Sequence, residues 1–180
     1  MVDLSEIQAA YYMVAATGVL VAAVFYIANL RETTRNRKAT FENNVMQNMF
    51  TPLFNQLYME IMSMQWTDFE DFKRKYDSSV NPQNFVNRNI IWGYYDSLGK
   101  QLRQGVIDID SFSDHWCVAV VRVWHKFKPI IEGYRGWQWP SGYYRDFEYL
   151  AVALEKKLMD EDPDFMKKFS NIISPREVHQ

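Results

Sequence analysis

Three histidines, His115, His125 and His179, and one cysteine, Cys117, are the side chains with which this 180-residue chain could hold a borderline-soft metal. His115 and Cys117 stand two apart and point to different sides of a helix. His115 and His125 are ten apart, about 80° out of phase on one. A zinc site needs ligands that converge, and this spacing brings none together, so no metal and no cofactor are expected. Nucleophilic chemistry also lacks its frames, since there is no G-x-S-x-G, no Walker loop, no G-x-G-x-x-G and no H-E-x-x-H. Cys117 follows Trp116 on the apolar side of its helix and reads as an inert buried thiol. Acid groupings such as Asp108/Asp110 and Asp68/Glu70/Asp71 are of the kind that caps helices and solvates surfaces. No catalytic residue is assigned.

The six tryptophans divide into two groups. Trp92, Trp116 and Trp124 lie at helical spacing among aliphatic residues, which predicts core packing. Trp137 and Trp139 lie in "RGWQWPSG", which reads as a loop and makes them a partner contact or a lid over the bundle end. Beyond residue 38 there are 16 basic against 19 acidic residues, so duplex nucleic acid is a poor partner. One cysteine cannot form an internal disulfide.

The elements that must position these groups begin with an anchor. Ile7 to Leu30 is a run of 24 residues without a charge. As a helix it reaches roughly 36 Å, enough for a hydrocarbon core of about 30 Å. An export signal would carry a basic lead and a shorter apolar core, whereas Asp3 and Glu6 stand here. A soluble core helix of this length would show a polar stripe. Tyr11, Tyr12 and Tyr26 suit the two interfaces. Arg31, Arg35, Arg37 and Lys38 follow, which predicts the N-terminus outside, residues 31–180 in the cytoplasm, and contact with anionic head groups as a secondary role. Gly18 and Ala22 form a small-xxx-small pair through which another helix could pack.

The remainder has helical period almost throughout. Phe41, Val45, Met49, Leu53, Leu57 and Ile61 make one stripe, with a break at Thr51 before Pro52. Thr67 or Asp68 caps a short acidic-aromatic helix in which Glu70 and Arg74 pair. "DSSVNPQNF" is a loop opening a helix with Ile91, Tyr95, Leu98 and Leu102 inward, closed by Gly105 with Val106 and Ile107 beyond. Asp108 or Asp110 caps the longest soluble-type helix. Its broad face holds Phe112, Trp116, Val120, Val123, Phe127, Ile130 and Tyr134, and Pro129 is expected to bend it. A last helix turns Phe147, Leu150, Ala151 and Leu154 inward. The expectation is an all-α chain: a transmembrane anchor with its basic flank over 1–38, a cytoplasmic helical bundle over 39–165, and a weakly ordered tail over 166–180.

"WGYYDSLGKQLRQGVIDID", "VWHKFKPIIEGYR" and "YYRDFEYL" resemble a family of small single-pass prokaryotic membrane proteins, frequent in archaea and known as a domain of unknown function. Asp96, Gly99, Arg103, Gly105, Ile107 and Asp108 take the places of its first block. Trp124, Lys128, Pro129, Ile131, Glu132 and Arg135 take those of the second, and Phe147, Glu148 and Leu150 those of the third. The resemblance covers about residues 1–157 and implies fold and topology but no activity. Its polar members Asp96, Arg103, Lys128, Glu132, Arg135 and Glu148 suggest an interhelical cluster. Glu132 is expected to pair with Arg135, and Glu148 to meet Arg135, Arg103 or Lys128, fixing helix register.

Two functions follow as expectations. The first is a membrane-anchored helical interaction module or accessory subunit, with the bilayer and a protein or a second copy of the chain as partners. The alternative is a small-ligand binder or enzyme using Asp96, Glu132, Arg135 and Glu148 around a pocket between helices.

Overall fold

The computed structural model describes residues 3–49 and 51–173, except for the side chains of residues 42, 45, 46 and 171–173. Val45 of the expected stripe and His179 therefore lie outside the described side chains. The chain forms two compact units, residues 1–43 and 44–180, and no strand occurs among the described residues.

The first unit is helix alone. α1, Leu4–Met49, runs 46 residues without a breaker. It contains an 18-residue window of mean hydropathy 2.0, and none of that window is buried. Val14 is 74% exposed and Phe25 71%. Within the run, Thr17 Oγ1 donates to the Met13 carbonyl at 2.8 Å.

The second unit is a bundle around three helices. The last turn of α1 contributes the buried Met49. Thr51 then turns extended, and its hydroxyl accepts the Phe54 N–H at 3.2 Å. Pro52 occupies the first turn of α2, Pro52–Ser63, where its missing N–H costs nothing. α3 is Phe69–Tyr76, α4 Pro82–Arg103, α5 Asp114–Trp137, α6 Arg145–Glu161 and α7 Phe165–Ile173. α5 runs antiparallel to α6, with Arg135 opposite Glu148 and His125 opposite Glu155. It also runs antiparallel to α4, with Trp92 against Phe127 and Arg88 against Tyr134. Trp92, Tyr95, Phe127, Ile130, Phe147, Leu150 and Leu154 fill the space between these three helices. α3 lies so close to α5 that a Cβ on Gly133 would meet the Phe69 ring at 2.5 Å.

The helical period places the core residues of α5 and α6 as expected, and Trp92, Trp116 and Trp124 are all buried. Several boundaries and pairs differ. Leu53 is 63% exposed although it falls on the α2 stripe, and it lines an open groove with Ile90 and Tyr94 of α4. Asp108 caps only a 3-10 turn, Ile109–Ser111, and α5 starts after Ser113. α5 runs unbroken through Pro129, whose ring faces solvent. Gly105 takes φ +69, and Val106 N–H reaches the Gln101 carbonyl at 3.0 Å, so the cap forms as expected. Ile107 alone supplies its apolar closure, since Val106 is 67% exposed. Glu70 pairs with Lys73 and Arg74 with Asp71, not with each other. α7 covers the start of the segment read as a tail, with Phe165 and Phe169 buried.

Candidate functional site

The polar members of the three motifs do not form one cluster. They form two separate locks and one surface pair. In the first lock, α4 carries Asp96, Gly99 and Arg103 at spacings of three and four, which keeps them on one face. The first turn of α6 is laid against that face. α6 has no cap of its own: Tyr144, the residue before it, is left-handed with φ 51 and offers no side-chain acceptor. Asp96 supplies the cap from the neighbouring helix. Its Oδ1 accepts the N–H groups of Asp146 at 3.0 Å and Phe147 at 2.9 Å, two of the donors that a helix start leaves unpaired. Gly99 permits the approach, because a Cβ there would lie 1.8 Å from the Asp146 carbonyl oxygen. Arg103 closes the lock with a two-pronged contact to Asp146, Nε to Oδ1 at 2.7 Å and Nη2 to Oδ2 at 3.3 Å. That hydrogen bond holds the Asp146 carboxyl below its ordinary value against the opposing effect of burial.

The second lock ties the end of α5 to the start of α6. Arg135 Nη1 donates to Glu148 Oε2 at 2.7 Å and its Nε to the Tyr143 carbonyl at 2.8 Å. The expected Glu132–Arg135 pair is therefore not made, and Arg103 and Lys128 are not the partners of Glu148. Glu132 points to solvent on the outer face of α5, 3.9 Å from Lys128. Asp96, Glu132, Arg135 and Glu148 do not converge on a shared cavity, and three of the four are held by partners on other elements.

Trp137 proves to be the last residue of α5 and not a loop residue. It is 51% exposed, with the Lys73 ammonium 4.2 Å from its ring centroid. Trp139 is 41% exposed and stacks on Tyr143 at 5.0 Å and 11°. Both tryptophans are thus partly exposed and partly packed on bundle side chains. Gly18 faces open space, with nothing within 4 Å of an added Cβ, and Ala22 is exposed. Arg31, Arg35, Arg37 and Lys38 all stand exposed on α1.

Sequence reasoning missed Arg88, the largest polar side chain of the core, at 1% exposure. Its guanidinium donates to the Tyr76 carbonyl, to Asn84 Oδ1 at 3.2 Å and to the Tyr134 hydroxyl at 3.3 Å. The Tyr134 hydroxyl in turn donates to Asp77 Oδ1 at 3.0 Å. The rings of Phe85 and Phe72 flank the cation at 4.9 and 5.1 Å. Burial lowers the Arg88 pKa, and nearby Tyr134 and Asp77 work against that. The signal was present: Arg88 lies on the same stripe as Ile91, Trp92 and Tyr95. Asp71 is a second case. Hydrogen bonds from Lys75 and the Thr67 N–H hold its carboxyl down to about 2.

An open apolar groove of about 410 Å³ lies between the end of α1, α2 and α4, lined by Leu53, Phe54, Leu57, Ile90 and Tyr94 among others. Cys117 is buried, which pushes its thiol up to about 11, far from the range of a reactive thiolate. Among the described residues no three His, Cys, Asp or Glu side chains gather where a metal ion would fit.

No curated protein and no solved structure matches the chain. Residues 13–156 match one protein family, and that span contains both locks and all but the first turns of the apolar helix. The chain belongs to the family described as a domain of unknown function, DUF4760.

Proposed function

We propose that this protein is a single-pass, membrane-anchored helical module of the cell membrane that works by contact with other proteins. Its short N-terminus lies outside, and its bundle lies in the cytoplasm. The observation that carries the anchor is the apolar part of α1: an 18-residue window of mean hydropathy 2.0, with none of it buried. A core helix of that hydropathy would be covered by the fold, and an uncovered one in water would leave a very large apolar surface exposed. Lipid is the solvent in which such a helix is stable, and the inward bond of Thr17 suits it. Arg31, Arg35, Arg37 and Lys38 support the orientation. The half-exposed Trp137 and Trp139 support a protein-facing surface, since aromatic residues are enriched where partners bind.

The test is a fractionation and labelling experiment. Membranes washed with alkaline carbonate should retain the full chain, and release into the supernatant would end the anchor reading. In a Cys117→Ala background, a membrane-impermeant maleimide applied to intact cells should label Ser5→Cys and leave Asp164→Cys unlabelled until lysis. The reverse pattern would invert the topology. Mild-detergent purification of wild type against Trp137→Ala/Trp139→Ala should recover a protein partner with the wild type alone. Recovery of the same proteins with both would remove the tryptophans from the contact.

A further inference from the structure

The helices of the bundle are tied to one another by directed bonds, with one exception. Asn87 of α4 donates to Glu60 of α2 at 2.7 Å, Arg88 of α4 to the Tyr76 carbonyl of α3, and Arg135 of α5 to Glu148 of α6. Among the described residues, no hydrogen bond or ion pair joins α7 to any of these helices. Its polar groups are used close by: Lys168 pairs with Asp162 in the turn before it, and Ser170 Oγ donates to the Lys167 carbonyl at 2.8 Å. What holds α7 is apolar. Phe165 and Phe169, one turn apart, are buried with their rings 5.1 Å from each other, while Lys167, Lys168 and Ser170 are exposed. Phe169 meets the His125 ring of α5 at 5.4 Å and 66°, and His125 Nε2 lies 2.9 Å from Glu155 Oε2 of α6. α7 therefore lies over the seam between α5 and α6. Nine residues are too few for a stable helix alone in water, so α7 owes its helicity to the seam beneath it.

The seam and its cover also differ in their relation to the family. The shared span ends at residue 156, so His125 and Glu155 fall inside it and α7 falls outside. The shared domain thus carries the seam, and α7 comes to it as an addition. An apolar face laid into a groove, with two aromatic anchors one turn apart, is the helix-in-groove mode by which separate chains recognise one another. Here the connection between α6 and α7 is only Asp162–Asp164. A tether that short holds α7 at an effective concentration of about millimolar, which fills a groove without strong contacts. A helix of the same chemistry on another protein competes for the same seam.

We propose that the α5–α6 seam beneath α7 is a docking groove for an amphipathic helix of a protein partner that carries two aromatic side chains one turn apart. α7 occupies the groove in cis until such a helix displaces it. The probe is a fluorescein-labelled peptide of residues 162–173, added to the full chain in nanodiscs and followed by anisotropy. Phe165→Ala/Phe169→Ala in the chain removes the rings that hold α7 and leaves the seam itself unaltered. This variant should bind the peptide roughly tenfold or more tightly than wild type, whose groove is filled. Adding His125→Ala should weaken that binding, and a peptide with both phenylalanines replaced by alanine should not bind. Should the double variant lose the helical circular dichroism of the bundle, hydrogen exchange of wild type serves instead. The α7 amides should then exchange at urea concentrations that leave α4 and α6 protected. No saturable binding to the double variant, equal binding to wild type, equal binding of the alanine peptide, or α7 protection equal to that of α6 would each overturn the groove. A wild type that is dimeric where the double variant is monomeric would seat a second copy's α7 in the groove and overturn closure in cis.

Discussion

The seam between α4 and α6 and the apolar stretch of α1 are opposites in how they satisfy their surroundings. In the seam every polar group of the motif is committed: Asp96 to two backbone donors, Arg103 to Asp146, Gly99 to the space a Cβ would fill. Along the apolar stretch of α1 the side chains are exposed from Ile7 to Leu30. The contrast separates architecture from function. The residues that look most like a polar site are consumed in holding two helices together. The apolar side chains left uncovered along α1 are those that we propose meet lipid.

That contrast breaks first at Gly99. Gly99→Ala drives a Cβ into the α6 backbone, which cannot give as a flexible side chain can, and should cost about 3 kcal/mol or more in urea denaturation. A midpoint equal to wild type would mean that the seam is looser than described. Asp96→Ala leaves two helix-start donors without their acceptor and should cost about 2 kcal/mol. Asp96→Asn should recover part of it, because its carbonyl oxygen still accepts.

Asp146 gives the seam a pH signature. Its carboxyl titrates below the ordinary 3.8 chiefly because Arg103 donates to it. A depressed carboxyl contributes stability that is present above the unfolded value and lost as pH falls through the folded one. Wild type should therefore lose stability on acidification below about pH 4, and Asp146→Asn should lose less across that window. Parallel acid limbs for the two would remove the Arg103–Asp146 pair from the stability of the fold. The smallest effect on stability belongs to the other region. Gly18→Leu should leave the bundle's denaturation midpoint unchanged, since nothing lies near Gly18, yet abolish cross-linking of the chain in membranes. Unchanged cross-linking would end the idea of self-association through Gly18 and Ala22.

Much of the bundle was legible because burial follows the helical period directly. Every α5 position from Trp116 to Tyr134 that the period marks as inward is buried, and the Gly105 and Pro52 punctuation holds. Polar pairing was less legible, because it depends on which helices become neighbours. Glu132 and Arg135 are well spaced to pair along one helix, yet Arg135 turns to α6, where Glu148 and the Tyr143 carbonyl offer two acceptors at once. Asp96 looked like a pocket acid because a cap donated across helices leaves no local trace in sequence. Arg88 was hidden by its own charge: a lone arginine on an apolar stripe reads as a surface residue until an aromatic cage and a hydroxyl relay appear around it.

Hydrogen exchange of the full chain in lipid nanodiscs tests the central claim most directly, because it reads the solvent of each backbone amide. Amides from residue 9 to residue 29 should stay protected, and should remain so in urea sufficient to unfold the bundle, because lipid and not packing shields them. Exchange of those amides at the rate of an exposed helix, or their loss of protection together with α4 and α6, would contradict the anchor and the division of the molecule that rests on it.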